Sequence, residues 1–314
     1  MPKHVALVGA DLFSAYHDLA RGLKQVGALV TGIGPTSSAA ALPAGLKPWL
    51  DAWEPVANLL DPASILDAAR RAGRRRALDR LETGDDNLVV PTAEARAALG
   101  LPGLSVRTAL LCRDKPAMKE ALRAAGLPCA ESTAAASLAD LEAFAERVGY
   151  PLALKPRAGL GGLGARRVEN RQELATAARA LGVGDGRSAA AEEWIEGHEG
   201  FYDTVAIGGQ PAHEFIAHYY PPVLPALADR GVSPQIASTN RVDVQSYGEL
   251  REVGRKVIAA LGIDTAATHM EWFFGPKGLK VSEIGARPAG ERIWDLYCVG
   301  NDLDLWREWA MAIV

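Results

Sequence analysis

Cysteine is scarce in this chain: Cys112, Cys129 and Cys298 are the three in 314 residues. An odd number with no Cys-x-x-Cys pair argues against a disulfide framework and against a zinc site. It fits a reduced, cytoplasmic protein whose thiols act as small buried hydrophobes. No charge sign dominates either, since 34 Lys+Arg against 38 Asp+Glu leave a net charge of -4. That balance excludes a basic nucleic-acid arm and an acidic disordered tail. No apolar run approaches the ~18–20 residues that cross a bilayer. The apolar stretch from Val5 to Ala10 is too short for a secretory signal, and Asp11 interrupts it. No repeat and no low-complexity tract is present. What remains is 48% hydrophobic and 23% charged, with 32 glycines, the balance of a folded enzyme. At ~100–200 residues per domain the length fits roughly two domains.

The start reads as a strand at His4 to Gly9, a helix at Ser14 to Gln25 and a second strand at Val26 to Gly32. This is the opening of a parallel α/β layer. The turn after the first strand, Gly9-Ala10-Asp11-Leu12-Phe13, is not the Gly-x-Gly-x-x-Gly of a dinucleotide site. A strand at Trp53 to Leu59 and a helix at Ser64 to Ala72 follow. Pro102-Gly103 then breaks the chain. Pro116 sits where a helix over Ala117 to Ala125 tolerates proline, and Ser137 is a candidate N-cap for Leu138 to Val148. Strands are expected at Leu152 to Lys155, Ala190 to Ile195 and Tyr202 to Ile207, with a loop rich in Pro and Tyr over about 219–240. A helix at Gly248 to Leu261 precedes a hairpin, Ala267 to Phe274 and Gly278 to Ile284, turned by Gly275-Pro276-Lys277-Gly278. A Trp-rich amphipathic helix over Asp302 to Val314 ends the chain.

Three constellations carry chemistry. Lys155 ends an apolar strand and a glycine-dense loop follows, Gly159-Leu160-Gly161-Gly162-Leu163-Gly164. Free amides in such a loop cradle phosphates and the lysine adds a point charge, although no Gly-Lys-Ser/Thr closes it as in a P-loop. Next, Glu192-Glu193-Trp194-Ile195 ends a strand and leads to Glu199. Backbone there could read an adenine edge and the later carboxylate could accept ribose hydroxyls; a charged surface turn is the plain alternative. The third is the hairpin pair Glu271 and Glu283, each set among apolar neighbours. Carboxylates enter such surroundings when paired or on a metal. Two that face each other repel unless a cation lies between them, and Mg²⁺ suits few carboxylates plus phosphate oxygens. Arg287, four positions after Glu283, could stabilise charge on a transferring phosphoryl group. The alternative for this pair is a surface cross-strand salt-bridge arrangement.

Taken in order, these segments resemble the ATP-grasp superfamily over roughly residues 90 to 310. The match runs from Asp114-Lys115 and Met118-Lys119, through Gly149 to Pro156 and Glu192 to Glu199, to His269-Met270-Glu271 and Glu283-Ile284-Gly285-Ala286-Arg287-Pro288-Ala289-Gly290. The resemblance implies an N-terminal parallel α/β pre-ATP-grasp domain over residues 1–105. An ATP-grasp fold with an antiparallel core sheet would follow over 106–314, with a small lid subdomain at about 127–190. It implies ATP and Mg²⁺, with Mn²⁺ as the substitute ion. Lys115 and Lys155 correspond to the lysines on the α- and β-phosphates, and Gly161 and Gly162 to the loop over the triphosphate. Glu192, Glu193, Trp194 and Ile195 correspond to the adenine hinge, Glu199 to the ribose carboxylate and Glu271 and Glu283 to the metal ligands. Arg287 corresponds to the catalytic arginine, with His269, Arg241 and Gly290 toward the substrates.

The implied reaction is carboxylate–amine ligation through an acyl phosphate, joining a small carboxylic acid to an amine with release of ADP and phosphate. A carboxylase-like or formate-using enzyme is the alternative, as is a non-catalytic ATP-binding regulatory protein. Neither nucleic acid nor membrane is an expected partner, and a homodimer is the assembly to be considered. One position departs from the pattern: Glu-x-Asn, whose Asn is the third metal ligand, is here Glu283-Ile284-Gly285. Many relatives also continue beyond a point equivalent to Val314, although short D-alanine ligase-like members end near it; either a second subunit completes the pocket, or the chain is shortened, or catalysis is weakened.

Overall fold

The computed structural model describes residues 1–158, 164–228, 231–232, 235–290 and 292–314. The chain opens with β1 (His4–Val8), α1 (Ala15–Gln25), β2 (Leu29–Gly34), β3 (Ala52–Pro55), α2 (Pro62–Ala72), β4 (Arg80–Thr83) and α3 (Val89–Ala98). These strands form a parallel sheet in the order β3-β2-β1-β4. Every residue of β1 is buried, as expected of a central parallel strand covered on both faces. Asp61 accepts from the amides of Ala63 and Ser64, with Pro62 at the first turn, and so starts α2.

After α4 (Val106–Leu111) and α5 (Lys115–Ala124) the chain builds a small antiparallel sheet. Its elements are β5 (Ser132–Ala135), α6 (Leu138–Val148), β6 (Leu152–Pro156), β7 (Arg166–Val168), α7 (Arg171–Ala180) and β8 (Ala189–Glu193), with strand order β5-β8-β6-β7. Ser137 and Asp140 make the expected cap of α6 as a reciprocal capping box. Leu141, Phe144, Leu152, Leu154 and Leu174 form this unit's own core.

The remaining elements are β9 (His198–Ile207), β10 (Gln210–Tyr220), α8 (Val223–Ala228), β11 (Gln235–Thr239), α9 (Gly248–Leu261), β12 (Ala266–Gly275), β13 (Gly278–Gly285), α10 (Ile293–Asn301) and α11 (Leu305–Ile313). Their strands form an antiparallel sheet ordered β11-β10-β9-β12-β13. One face packs on α9 through Tyr202, Ile216, Met270 and Trp272. Part of the other packs toward the N-terminal layer and the last two helices through Phe201, Val205, Phe215, Trp294 and Tyr297. Among the described residues no helix is long and apolar enough to cross a membrane.

The parallel N-terminal layer, the antiparallel core sheet and the closing hairpin agree with the sequence reading. Other parts correct it. Trp53 to Leu59 is a strand only to Pro55, and β9 begins at His198 rather than Tyr202. The supposed loop over 219–240 holds the end of β10, α8 and β11. Tertiary pairing with β9 overrides the weak local propensity of β10, whose Pro211 falls at a register shift. Cys112 and Cys129 are buried and Cys298 is half-buried, all as free thiols.

Candidate active site

Period-two alternation along the core sheet assembles the carboxylates. Glu199, Phe201 and Asp203 of β9 point to one face, and their partners on β12 are Phe273, Glu271 and His269. On the far side of β12, Glu271 stands directly opposite Glu283 and His269 opposite Gly285. The hairpin expected from sequence thus sets the two carboxylates side by side, an arrangement that repels unless positive charge compensates it. Lys115 supplies part of that charge, its Nζ 2.8 Å from Glu283 Oε2. Asp114 caps α5, accepting from the Ala117 amide, and Arg157 grips the same carboxylate. Together they hold Lys115 in the helix's first turn.

His269 donates from Nδ1 to Asp203 Oδ1 at 2.7 Å, and its Nε2 is 3.8 Å from Glu271 Oε1. Tyr297 of α10 donates to the other Asp203 oxygen at 2.8 Å. Burial works against the charge on His269, but Asp203 and Glu271 outweigh it and push its pKa up to about 9. The sequence places His269 toward a substrate; the structure ties both its nitrogens to carboxylates of the sheet.

Lys155 lies next to the end of β6, beside β8, where Glu192 pairs with Ala153. Glu192 Oε2 lies 2.9 Å from Lys155 Nζ, and its Oε1 lies 2.5 Å from Lys119 Nζ in ion-pair contact, at an angle too poor for a directed hydrogen bond. Burial opposes the Glu192 charge, yet the two ammonium groups hold its pKa down to about 2. Burial lowers the pKa of Lys119 against the pull of Glu192. Glu192 therefore serves the lysines through its side chain. Glu193 points the other way, accepting from the Glu131 amide at 2.9 Å and from Lys277 at 2.8 Å. Its side chain is a strut rather than a reader of a base. Trp194 lies beneath the Arg167 guanidinium, 4.7 Å from the ring centroid, and Ile195 is buried.

Glu199 is buried and accepts from the Val223 amide at 2.7 Å. Burial, then the charges of Glu271 and Glu283, raise its pKa to about 7. This marks an excess of negative charge on the carboxylate face. Arg287 donates from Nε to Asp86 Oδ2 at 2.5 Å, a partner from the N-terminal layer that sequence reasoning missed. Asp203 and the role of Lys119 were missed as well. Arg241 is exposed, and its backbone amide donates to Thr239 Oγ1 at 3.0 Å. Nothing ties it to the carboxylates among the described residues. Gly290 is exposed, with open space where a Cβ would sit. Gly161 and Gly162 lie outside the described residues.

Residues 114–193 match the family model described as the carbamoyl-phosphate synthase L chain, ATP binding domain. The L-arginine-specific L-amino acid ligase of Bacillus subtilis is 27% identical over 243 residues, which are 73% of this chain and 58% of that protein. The alanine–anticapsin ligase of Bacillus subtilis is 26% identical over 273 residues, 72% of this chain and 55% of that protein. The chain therefore spans little more than half the length of these two relatives. Among solved structures, the L-amino acid ligase of Bacillus licheniformis superposes with a TM-score of 0.79 at 22% identity, over 99% of this chain and 74% of that one. A carboxyaminoimidazole synthetase of Staphylococcus aureus superposes at 0.74 and 15% identity, over 100% and 78%. The fold and the motif order are similar to those of ATP-grasp proteins. Within that class, this chain is similar in sequence to amino acid ligases and to carbamoyl-phosphate synthases.

Proposed function

We propose that the protein is an ATP-dependent carboxylate–amine ligase that activates a small acid as an acyl phosphate. One observation carries this reading: on the core sheet Lys115 pairs with Glu283 of the facing pair Glu271 and Glu283, and the charges of Lys155 and Arg287 act on Glu271. That combination suits charge neutralisation during phosphoryl transfer, which needs positioning and cations rather than a Ser-His-Asp triad. We take residues 1–105 as the first domain and about 127–190 as the lid of the second.

The donor set fits a hard divalent ion. Two facing carboxylates and a third, Glu199, that ionises reluctantly beside them leave local negative charge for a cation to offset. Among the described residues no group of three His, Cys, Asp or Glu is arranged as a metal cage. The chain therefore offers two carboxylates, and phosphate oxygens and water would fill the remaining positions of Mg²⁺. Held by Glu271 and Glu283, Mg²⁺ would supply positive charge against the transferring phosphoryl group. Lys155 and Lys115 hold the phosphates, with Lys115 leaving Glu283 to do so. The backbone from Glu192 to Ile195 faces adenine, Glu199 accepts from the ribose, and Gly161 and Gly162 belong to the loop over the phosphates. Arg287 stabilises the transferring phosphoryl and the tetrahedral intermediate.

In the reaction, a carboxylate oxygen attacks the γ-phosphorus and ADP leaves. The amine then attacks the acyl carbon, loses a proton and displaces phosphate. ADP release across a matrix of carboxylic acids and amines, with products identified by mass, tests this. A product with a new amide bond is expected. Tight ATP binding with no turnover on any pair would favour the regulatory reading, which Gly285 motivates.

A further inference from the structure

We propose that Asp86 is the positioning residue of Arg287, and that Gly285 is the gap that admits it; this rests on the role given to Arg287 above. Asp86 lies in the turn between β4 and α3 and is only 6% exposed. A buried carboxylate needs a partner, and Arg287 is that partner, donating from Nε at 2.5 Å. Arg287 also donates from Nη1 to its neighbour's carbonyl, Pro288 O, at 2.8 Å. Two of the three guanidinium nitrogens are thus committed to the protein. Nη2 has no hydrogen bond among the described residues and is left for a phosphoryl oxygen.

The other Asp86 oxygen, Oδ1, faces Gly285. A Cβ at that position would lie 3.0 Å from it, closer than ordinary contact. Arg113 Nη1, at 4.0 Å, is the further cation on this oxygen. An Asn at 285 would press on Asp86, which would have to give by a few tenths of an ångström, and so would disturb its hold on Arg287. The glycine is therefore a trade: β13 gives up a side-chain oxygen, and the N-terminal layer delivers a carboxylate that aims the arginine. It follows that the first domain contributes to the transfer step itself.

The test measures affinity of the full chain for Mg²⁺ with ADP, and for Mg²⁺ with ADP and aluminium fluoride, a mimic of the transferring phosphoryl. Wild type should bind the second far more tightly. Asp86→Asn should lose about tenfold or more of that tightening, with ADP affinity within about twofold. Asp86→Glu should recover part of it, and Gly285→Asn should behave like Asp86→Asn. The double variant Asp86→Asn with Arg287→Lys should be no worse than Arg287→Lys alone. Should Asp86→Asn fail to fold, Asp86→Glu and Gly285→Asn carry the comparison. Full tightening in these variants overturns the proposal, as does equal weakening of both complexes. Wild type that binds ADP without tightening also overturns it. Wild type that binds no ADP overturns the nucleotide reading beneath it.

Discussion

Lys155 and Glu192 form an ion pair, Nζ to Oε2 at 2.9 Å, between the antiparallel strands β6 and β8. The same carboxylate meets Lys119, whose side chain is 0% exposed against 3% for Glu192. Removing one partner of a buried pair strands the other charge and costs about 3–5 kcal/mol. Glu192→Gln should therefore lower the unfolding free energy by about 3 kcal/mol in urea titrations. Adding Lys119→Met should recover a large part of that, because the uncompensated ammonium is gone. A single variant as stable as wild type would show that the two lysines are not held by Glu192.

The facing pair Glu271 and Glu283 yields a second expectation. Either Glu→Gln change should weaken Mn²⁺ binding in the presence of a non-hydrolysable ATP analogue by at least about tenfold, read by electron paramagnetic resonance. ADP release should fall with it. The two variants should differ in the metal-free protein. Glu283→Gln removes the anion 2.8 Å from Lys115, whereas Glu271→Gln removes one facing His269 at 3.8 Å. Unchanged Mn²⁺ affinity in both would remove the pair from the cation site.

These carboxylates show how far the sequence alone reaches. Glu271 and Glu283 were legible because turn chemistry at Gly275 to Gly278 sets a hairpin, and a hairpin's register decides which residues face each other. Lys115 was reached only through the resemblance to the ATP-grasp superfamily. Asp86 and Asp203 were not, since each is an isolated acid whose partner lies far along the chain: 201 positions for Asp86 and Arg287, 94 for Asp203 and Tyr297. No local spacing encodes such a pairing. Strand β10 escaped for a similar reason, because its pattern makes sense only beside β9. Glu192 and Glu193 look alike in sequence, yet strand alternation sends one to the lysines and the other to Lys277.

Two buried groups give the nucleotide- and metal-free protein a pH dependence in adjoining windows. Glu199 is raised from 4.5 to about 7, so the folded state holds the proton more tightly than the unfolded chain. Stability should then fall as pH climbs from about 4.5 to 7. His269 is raised from 6.5 to about 9, so its contribution is complete below 6.5 and is lost as pH rises through 9. Each is worth up to about 3 kcal/mol. Urea unfolding from pH 4.5 to 9.5 should show Glu199→Gln flattening the lower window alone and His269→Gln the upper alone. Unchanged slopes in both variants would refute the assignment.

The last helix returns to the first, and a glycine makes that contact. Gly22 in α1 faces the backbone of α11, where a Cβ would lie 2.4 Å from Trp306 O. A backbone oxygen cannot swing aside as a side chain can. In an unencumbered helix interior, Gly→Ala gains about 1 kcal/mol from propensity. Here the clash outweighs the gain, since overpacking typically costs about 1–3 kcal/mol before the lost contacts of the displaced helix are added. Those contacts include Leu19 and Leu23 of α1 and Trp306, Trp309 and Ile313 of α11, all in one core. Gly22→Ala should lower the melting temperature and increase hydrogen exchange across 305–313 more than across β1. Gly73 at the end of α2 meets nothing closer than 3.4 Å, so Gly73→Ala should leave stability nearly unchanged and serves as the control. A Gly22→Ala protein as stable as wild type would mean that α11 does not rest on α1.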